Sequence, residues 1–298
     1  MTRTHRLPLL DLSLVLMVLV WGANYSVMKR AFDEVPPLAF NAMRMVLAST
    51  VFLWSIRVAR RRAGRTPTRL SAVFHTPDRL TRRDRWDLAW LGVVGHFGYQ
   101  LCFAAGVART HASNAALILG ATPVAVVVLS AVFGRDRIRP LVWLGAAVSA
   151  LGVYFVIGRG AAFGASTLQG DLLMFVALIC WAVYTLGSTR IMARHSPLYV
   201  TGVTMAIGTA LYAVSAVPSL LLVRWSAVGA TTWVLLVLSA LLALCFGFIV
   251  WNAAVQRLGA THTVIYSNLV PLVAMIVAAG LIVFGVVLTR LQARTPVP

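Results

Sequence analysis

Trp21, Asn24 and Tyr25 stand inside one apolar run, with the tryptophan a helical turn ahead of the other two, so all three share a face at spacings i, i+3 and i+4. Trp181, Tyr184 and Thr185 stand in the same relation inside another run. A third run carries His96 and Gln100 four apart, with Tyr99 and Phe103 beside them, and other runs add Asn114, Trp251, Asn252 and Asn268. Hydrogen-bonding side chains are costly in apolar surroundings and turn toward the interior of a bundle. Gathered there with aromatic rings, they would wall a cavity suited to a small amphipathic solute. On this reading the binding residues are Trp21, Asn24, Tyr25, His96, Tyr99, Gln100, Trp181, Tyr184 and Asn268. The competing reading has such groups satisfy one another between helices or form an aromatic belt at a membrane surface. For Asn114 and Asn252, near the ends of their runs, bonding between helices is the stronger expectation.

Titration chemistry is constrained. The eight acids (Asp11, Asp33, Glu34, Asp78, Asp84, Asp87, Asp136 and Asp171) all lie at the ends of apolar runs or between them. A carboxylate proton relay therefore has no candidate, and His96 is the one central group that titrates near neutrality. His96→Gln is expected to abolish any proton-coupled transport and to spare downhill flux. Arg44 is the single basic residue that sits deep in a run, about seven residues past Pro37 and so roughly 10 Å down a helix. Snorkelling from that depth to the outer headgroups would be strained. No HExxH, GxSxG or pair of carboxylates is present, so no catalytic residue is assigned and no metal or cofactor is expected. Cys102, Cys180 and Cys245 lie inside apolar runs without CxxC spacing and read as small apolar side chains.

The elements that would position these groups are membrane spans. With 60% hydrophobic residues, 11% charged residues and a mean hydropathy of +0.85, the chain lacks the polar surface of a soluble domain. About 20 apolar residues make a span, which predicts nine: 9–28, 37–56, 88–108, 112–133, 140–158, 172–189, 198–222, 232–255 and 263–288. The first run lacks an A-x-A cleavage site and reads as a retained span. With the N-terminus in the cytoplasm, the inner segments carry eighteen basic residues and the outer loops five. That partition also accounts for the net charge of +18. The basic stretch 57–87 reads as a cytoplasmic loop against anionic headgroups, and nucleic acid is not an expected partner.

The spans repeat. At a shift of 160, Asp11 falls on Asp171, Trp21 on Trp181, Arg30 on Arg190 and Pro37 on Pro197. At a shift of 148, Phe103 falls on Trp251, Arg109 on Arg257 and Pro123 on Pro271. This divides the chain into repeats 1–160 and 161–298. Five crossings separate the copies, so the second runs through the membrane in the opposite sense. Inverted pairs of this kind place a substrate site near the midplane between the halves. Pro123 and Pro271 each remove a backbone donor at matching places, as hinges between two states or as plain core kinks.

With these residues in place, the chain resembles the EamA family of the drug/metabolite transporter superfamily. The resemblance rests on WGANYSVMKRAFDEVPPLAFNAMRMVLA and GDLLMFVALICWAVYTLGSTRIMARHSPL, and on the closing blocks ARTHASNAALILGATPVAVVV and WNAAVQRLGATHTVIYSNLVPLVA. It implies an all-α fold of twice five spans in the bacterial inner membrane, exporting small metabolites, often amino acids or related compounds. Two departures stand out. The joint after span four reads Gly134-Arg135-Asp136-Arg137, with Val142 further on, where the family has Gly-Glu-Arg and a Gln. Pro123 to Gly152 spans 29 positions but Pro271 to Gly285 only 14, so the second repeat is short by about fifteen. From Thr263 to Leu288 there are 26 uncharged residues, enough for one crossing and not two. The expectation is therefore nine spans, with the C-terminus outside. The implied partners are a small-molecule substrate and the lipid bilayer, and a homodimer is compatible with them. The alternatives are a non-transporting or decayed paralogue, kept open by the shortened repeat, and an intramembrane lipid-modifying enzyme.

Overall fold

The computed structural model describes residues 8–62, 80–133 and 164–277, with isolated positions 143–145, 147, 148, 151, 155 and 280. Among the described residues there is no strand, and eight helices are long and apolar enough to cross a membrane. They are α1 (Leu9–Phe32), α2 (Pro37–Arg61), α3 (Arg82–Arg109), α4 (Ala112–Val132), α5 (Leu168–Met192), α6 (Pro197–Leu221), α7 (Ala230–Leu258) and α8 (Ala260–Val277). Most of the expected span 140–158, and the stretch from 278 to 288 on which the nine-span count turns, lie outside the described residues.

Local chemistry sets the helix ends. Pro37 and Pro197 open α2 and α6 at the first turn, where a missing N–H costs nothing. Ser196 caps α6 by accepting from the Tyr199 amide at 3.3 Å. Helix α3 starts six residues before its expected apolar onset because Thr81 and Asp84 close a capping box around its basic first turn. Gly259 turns α7 into α8 at φ 83°, a conformation that a side chain would resist.

Four helices depart from the regular ladder. α3 widens to a π-helical stretch over Val93–Gly98, and α7 does so over Ser239–Phe246. At the shift of 148 the first stretch falls inside the second. α4 breaks at Ala121, and Pro123 is the second residue of the segment that follows. In α8 the turns before Pro271 are 3-10 over Val264–Asn268. Both prolines thus follow an irregular turn, as a lost donor requires.

The helices pack as a bundle whose lipid-facing surface carries Leu12, Leu16, Leu19, Trp54, Val214 and Leu221. Lipid is as apolar as these side chains, so close packing and interhelical hydrogen bonds hold the bundle together. α2 makes its most extensive contact with α6, where Ser49 and Thr209 share a hydroxyl hydrogen bond of 2.7 Å. These two residues are themselves 160 apart, and so are Trp21 and Trp181, whose rings meet edge-on at 5.7 Å. An axis relating two inverted copies would run through such self-paired contacts, and these two lie at the centre of the bundle.

Candidate functional site

A cavity opens at that centre. α1 lines it with Trp21, Asn24 and Tyr25, α2 with Arg44, and α3 with Tyr99, Gln100 and Phe103. Trp181 of α5 and Ala243, Leu244 and Phe248 of α7 form the opposite wall. α4 closes one side around Gly120 and Thr122, and α8 another with Ser267, Val270 and Pro271.

The wall is mainly aromatic and interlocked. Tyr99 lies 5.1 Å from Trp181 and stacks on Phe103 at 5.5 Å, while Phe103 meets Tyr25 edge-on at 5.9 Å. Trp21 and Trp181 both pack on Trp251, at 5.5 and 5.2 Å. The Trp21 indole donates to the Ala243 carbonyl at 2.9 Å, inside the π stretch of α7. Gly247 is what lets the indole come so close, since a Cβ there would collide with it. Such offset and edge-on pairs fix ring orientation beyond the area they bury.

The polar part of the wall centres on Arg44, which is 1% exposed although it lines the cavity. Its Nη1 donates to Ser239 Oγ at 2.7 Å and lies 3.5 Å from Asn24 Oδ1, and Ser239 in turn donates to Asn24 Oδ1 at 2.5 Å. Arg44 does not reach for a membrane surface; it is held at depth by neutral partners and lies 5.8 Å over the Phe40 ring. The amide of Asn24 also points at Met28 Sδ, 3.4 Å away. Gln100 is buried with its Oε1 unpaired.

Six of the nine residues singled out in the sequence border this cavity: Trp21, Asn24, Tyr25, Tyr99, Gln100 and Trp181. His96 and Tyr184 lie in the layer behind it. His96 is fully buried between Tyr184 at 5.0 Å and Phe248 at 5.1 Å, with no hydrogen-bond partner on either ring nitrogen. Tyr184 accepts from Asn252 at 2.9 Å, and Asn252 also donates to Thr201 at 2.8 Å. Asn268 is half-buried beside the lining residue Ser267. Asn252 and Asn114 do bond between helices, the latter to Asp171 at 3.1 Å. Phe248, Ser239 and the cavity-facing role of Arg44 were not assigned from the sequence. A lone Ser in an apolar run was the available signal for Ser239, whereas Phe248 carried none.

At one membrane face, Glu34 accepts from the Gly229 amide at 2.9 Å and from Thr232 Oγ1 at 2.8 Å. These two bonds, with Arg30 beside them, hold its carboxyl below the usual carboxylate range. At the other face, Asp84 is buried against Arg194 and His195, tying the start of α3 to the α5–α6 turn. Among the described residues no group of three or more His, Cys, Asp or Glu could hold a metal ion.

The sequence profile described as the EamA-like transporter family matches residues 9–158 and again 168–293. The chain is 28% identical over 260 residues to the uncharacterized transporter YyaM of Bacillus subtilis (strain 168), covering 86% of this chain and 81% of that one. It is 27% identical over 268 residues to a protein of Streptantibioticus cattleyicolor named a probable terminal-alkyne amino-acid exporter, covering 89% and 83%. A protein of known crystal structure superposes with a TM-score of 0.68 at 21% identity, over 91% of this chain and 88% of its own, a likeness of fold.

Proposed function

The chain belongs to the EamA-like transporter family, and from that premise we propose that it exports small amphipathic metabolites, amino acids or close relatives among them, by alternating access across a bacterial inner membrane. That it is a multi-pass membrane transporter, with a small-molecule substrate and a lipid environment, follows from the family itself. The observation that carries the finer reading is the cavity on the axis between Trp21 and Trp181, walled by rings and served by Asn24, Tyr25, Tyr99 and Gln100. A solute there meets apolar surface on most sides and a few hydrogen-bonding groups, which is how a site holds a small amphipathic molecule. The amino-acid exporter named above, similar over 89% of this chain, supports the choice of solute.

In this reading the repeats are 1–160 and 161–298, the N-terminus is cytoplasmic, and the irregular turns before Pro123 and Pro271 are the paired hinges. His96, Tyr184 and Asn268 support the wall from behind. A second reading, a paralogue that has lost transport, is favoured by one observation, the shortfall of about fifteen residues in the second repeat. Efflux from proteoliposomes holding the purified protein and loaded with labelled amino acids separates the two. We expect efflux above that from protein-free vesicles for at least one amino acid. Retention of the whole panel would favour the paralogue.

A further inference from the structure

We infer that Arg44 is the anchor for a carboxylate on the solute, so that the site selects organic acids by their anionic group and does not require an amino group. This rests on the proposed transport reading for the identity of the cavity as the solute site. Arg44 is 1% exposed and borders the cavity, and among the described residues no carboxylate lies within ion-pairing distance of it. Its hydrogen bonds go to neutral groups and use Nη1 alone. Nε is buried without a partner, and no hydrogen bond from Nη2 is found among the described residues. Those two donors form the edge of a guanidinium that forks onto a carboxylate with two parallel hydrogen bonds.

The rest of the wall argues for the same selectivity. Among the described residues no Asp or Glu lines the cavity, so a solute ammonium finds no counter-charge from them. It finds ring faces and neutral oxygens, among them the Tyr25 and Tyr99 hydroxyls and the unpaired Gln100 Oε1, which a solute hydroxyl or a neutral N–H satisfies as well. A buried guanidinium without a counter-ion is costly, whereas a solute carboxylate would supply the missing charge inside a site of low dielectric. A counter-charge is therefore present for an anion, and among the described residues none is present for a cation.

The test is titration of the intrinsic tryptophan fluorescence of the purified full chain, whose nine tryptophans include Trp21 and Trp181 on the cavity wall. Matched probes are 3-phenylpropionate, L-phenylalanine, 3-phenylpropionamide and 2-phenylethylamine, with the shorter set 4-methylpentanoate, L-leucine, 4-methylpentanamide and 3-methylbutylamine. In at least one set the acid and the amino acid should bind within a fewfold of each other, and the amide and amine roughly tenfold to a hundredfold more weakly, the range of a charge-assisted hydrogen bond. Arg44→Gln should remove that preference for the acid, weakening acid binding by a much larger factor than amide binding. Arg44→Lys keeps the charge but loses the fork, and should weaken acid binding by a smaller factor. If Arg44→Gln does not fold, the Arg44→Lys series decides. Acid and amide binding equally, undiminished acid binding in the variants, or no saturable response to any carboxylate would overturn the inference. Selective acid binding without efflux from proteoliposomes would uphold Arg44 as the anchor and overturn the transport reading instead.

Discussion

Asn24, Arg44 and Ser239 form one three-residue polar junction, and Tyr184, Thr201 and Asn252 form another. Each ties the first two helices of its half to α7. Asn24 and Tyr184 even occupy equivalent positions, 160 apart. The contents differ. The first junction holds a guanidinium and borders the cavity, while the second is neutral, with all three members at 0% exposure and none on the cavity wall. Where α2 carries Arg44, α6 carries Thr204, whose hydroxyl donates to its own helix at Val200. The duplicated scaffold therefore sets the shape of the centre, and the departure from duplication sets its charge. On the proposed transport reading, one junction meets the solute and the other holds helices together.

The largest effect should come from emptying the charged junction. Arg44→Met should cut efflux of a carboxylate solute roughly tenfold to a hundredfold. The thermal unfolding midpoint should hold or rise, because an uncompensated buried charge is removed while Ser239 and Asn24 keep each other as partners. A fall in both would make the two junctions alike. A smaller and opposite pattern is expected at the sealed junction. Asn252→Leu strips Tyr184 and Thr201 of a shared donor and should lower stability by about 1–2 kcal/mol, with the KM for the solute unchanged. Denaturation curves and flux kinetics on one preparation check both halves of that statement. The smallest effect lies outside both junctions, at Glu34. Its carboxyl is held below the ordinary 4.5 by the Gly229 amide and Thr232, so the contribution of that contact is full above about 4.5 and is lost as the pH falls through the lowered value. Hydrogen exchange at the start of α7 should accelerate only under those acidic conditions, and an unchanged rate would mean that the contact carries no stability.

Much of this was legible from spacing. The shifts of 160 and 148 pointed to two copies, and the family profile matches the chain twice, while Trp21, Asn24 and Tyr25 were placed on one face by the helical period. His96 shows where the period misleads. Four residues from Gln100, it belongs on the same face of a regular α-helix, yet Gln100 borders the cavity and His96 lies behind Phe248 and Tyr184. The π stretch Val93–Gly98 intervenes, and its wider turn shifts the phase between them. Nothing in VVGHFG or SALLALCF distinguishes a wide turn from an ordinary one, so Phe248 was equally hidden. Arg44 was seen to be deep, but its partner Ser239 is 195 residues away, and no local pattern links the two.

The contacts on the axis have one further consequence. When two inverted halves exchange conformations, the contacts that differ between them trade places with their counterparts on the other side. A contact between equivalent residues maps onto itself. The Ser49–Thr209 bond and the Trp21–Trp181 edge are therefore the parts of the bundle that neither state has to give up. On the alternating-access reading they are the pivot about which the remainder would rock. A fulcrum needs no charge and no coordinated ligand, only the same fit in both poses, which a pair of hydroxyls and two crossed indoles supply.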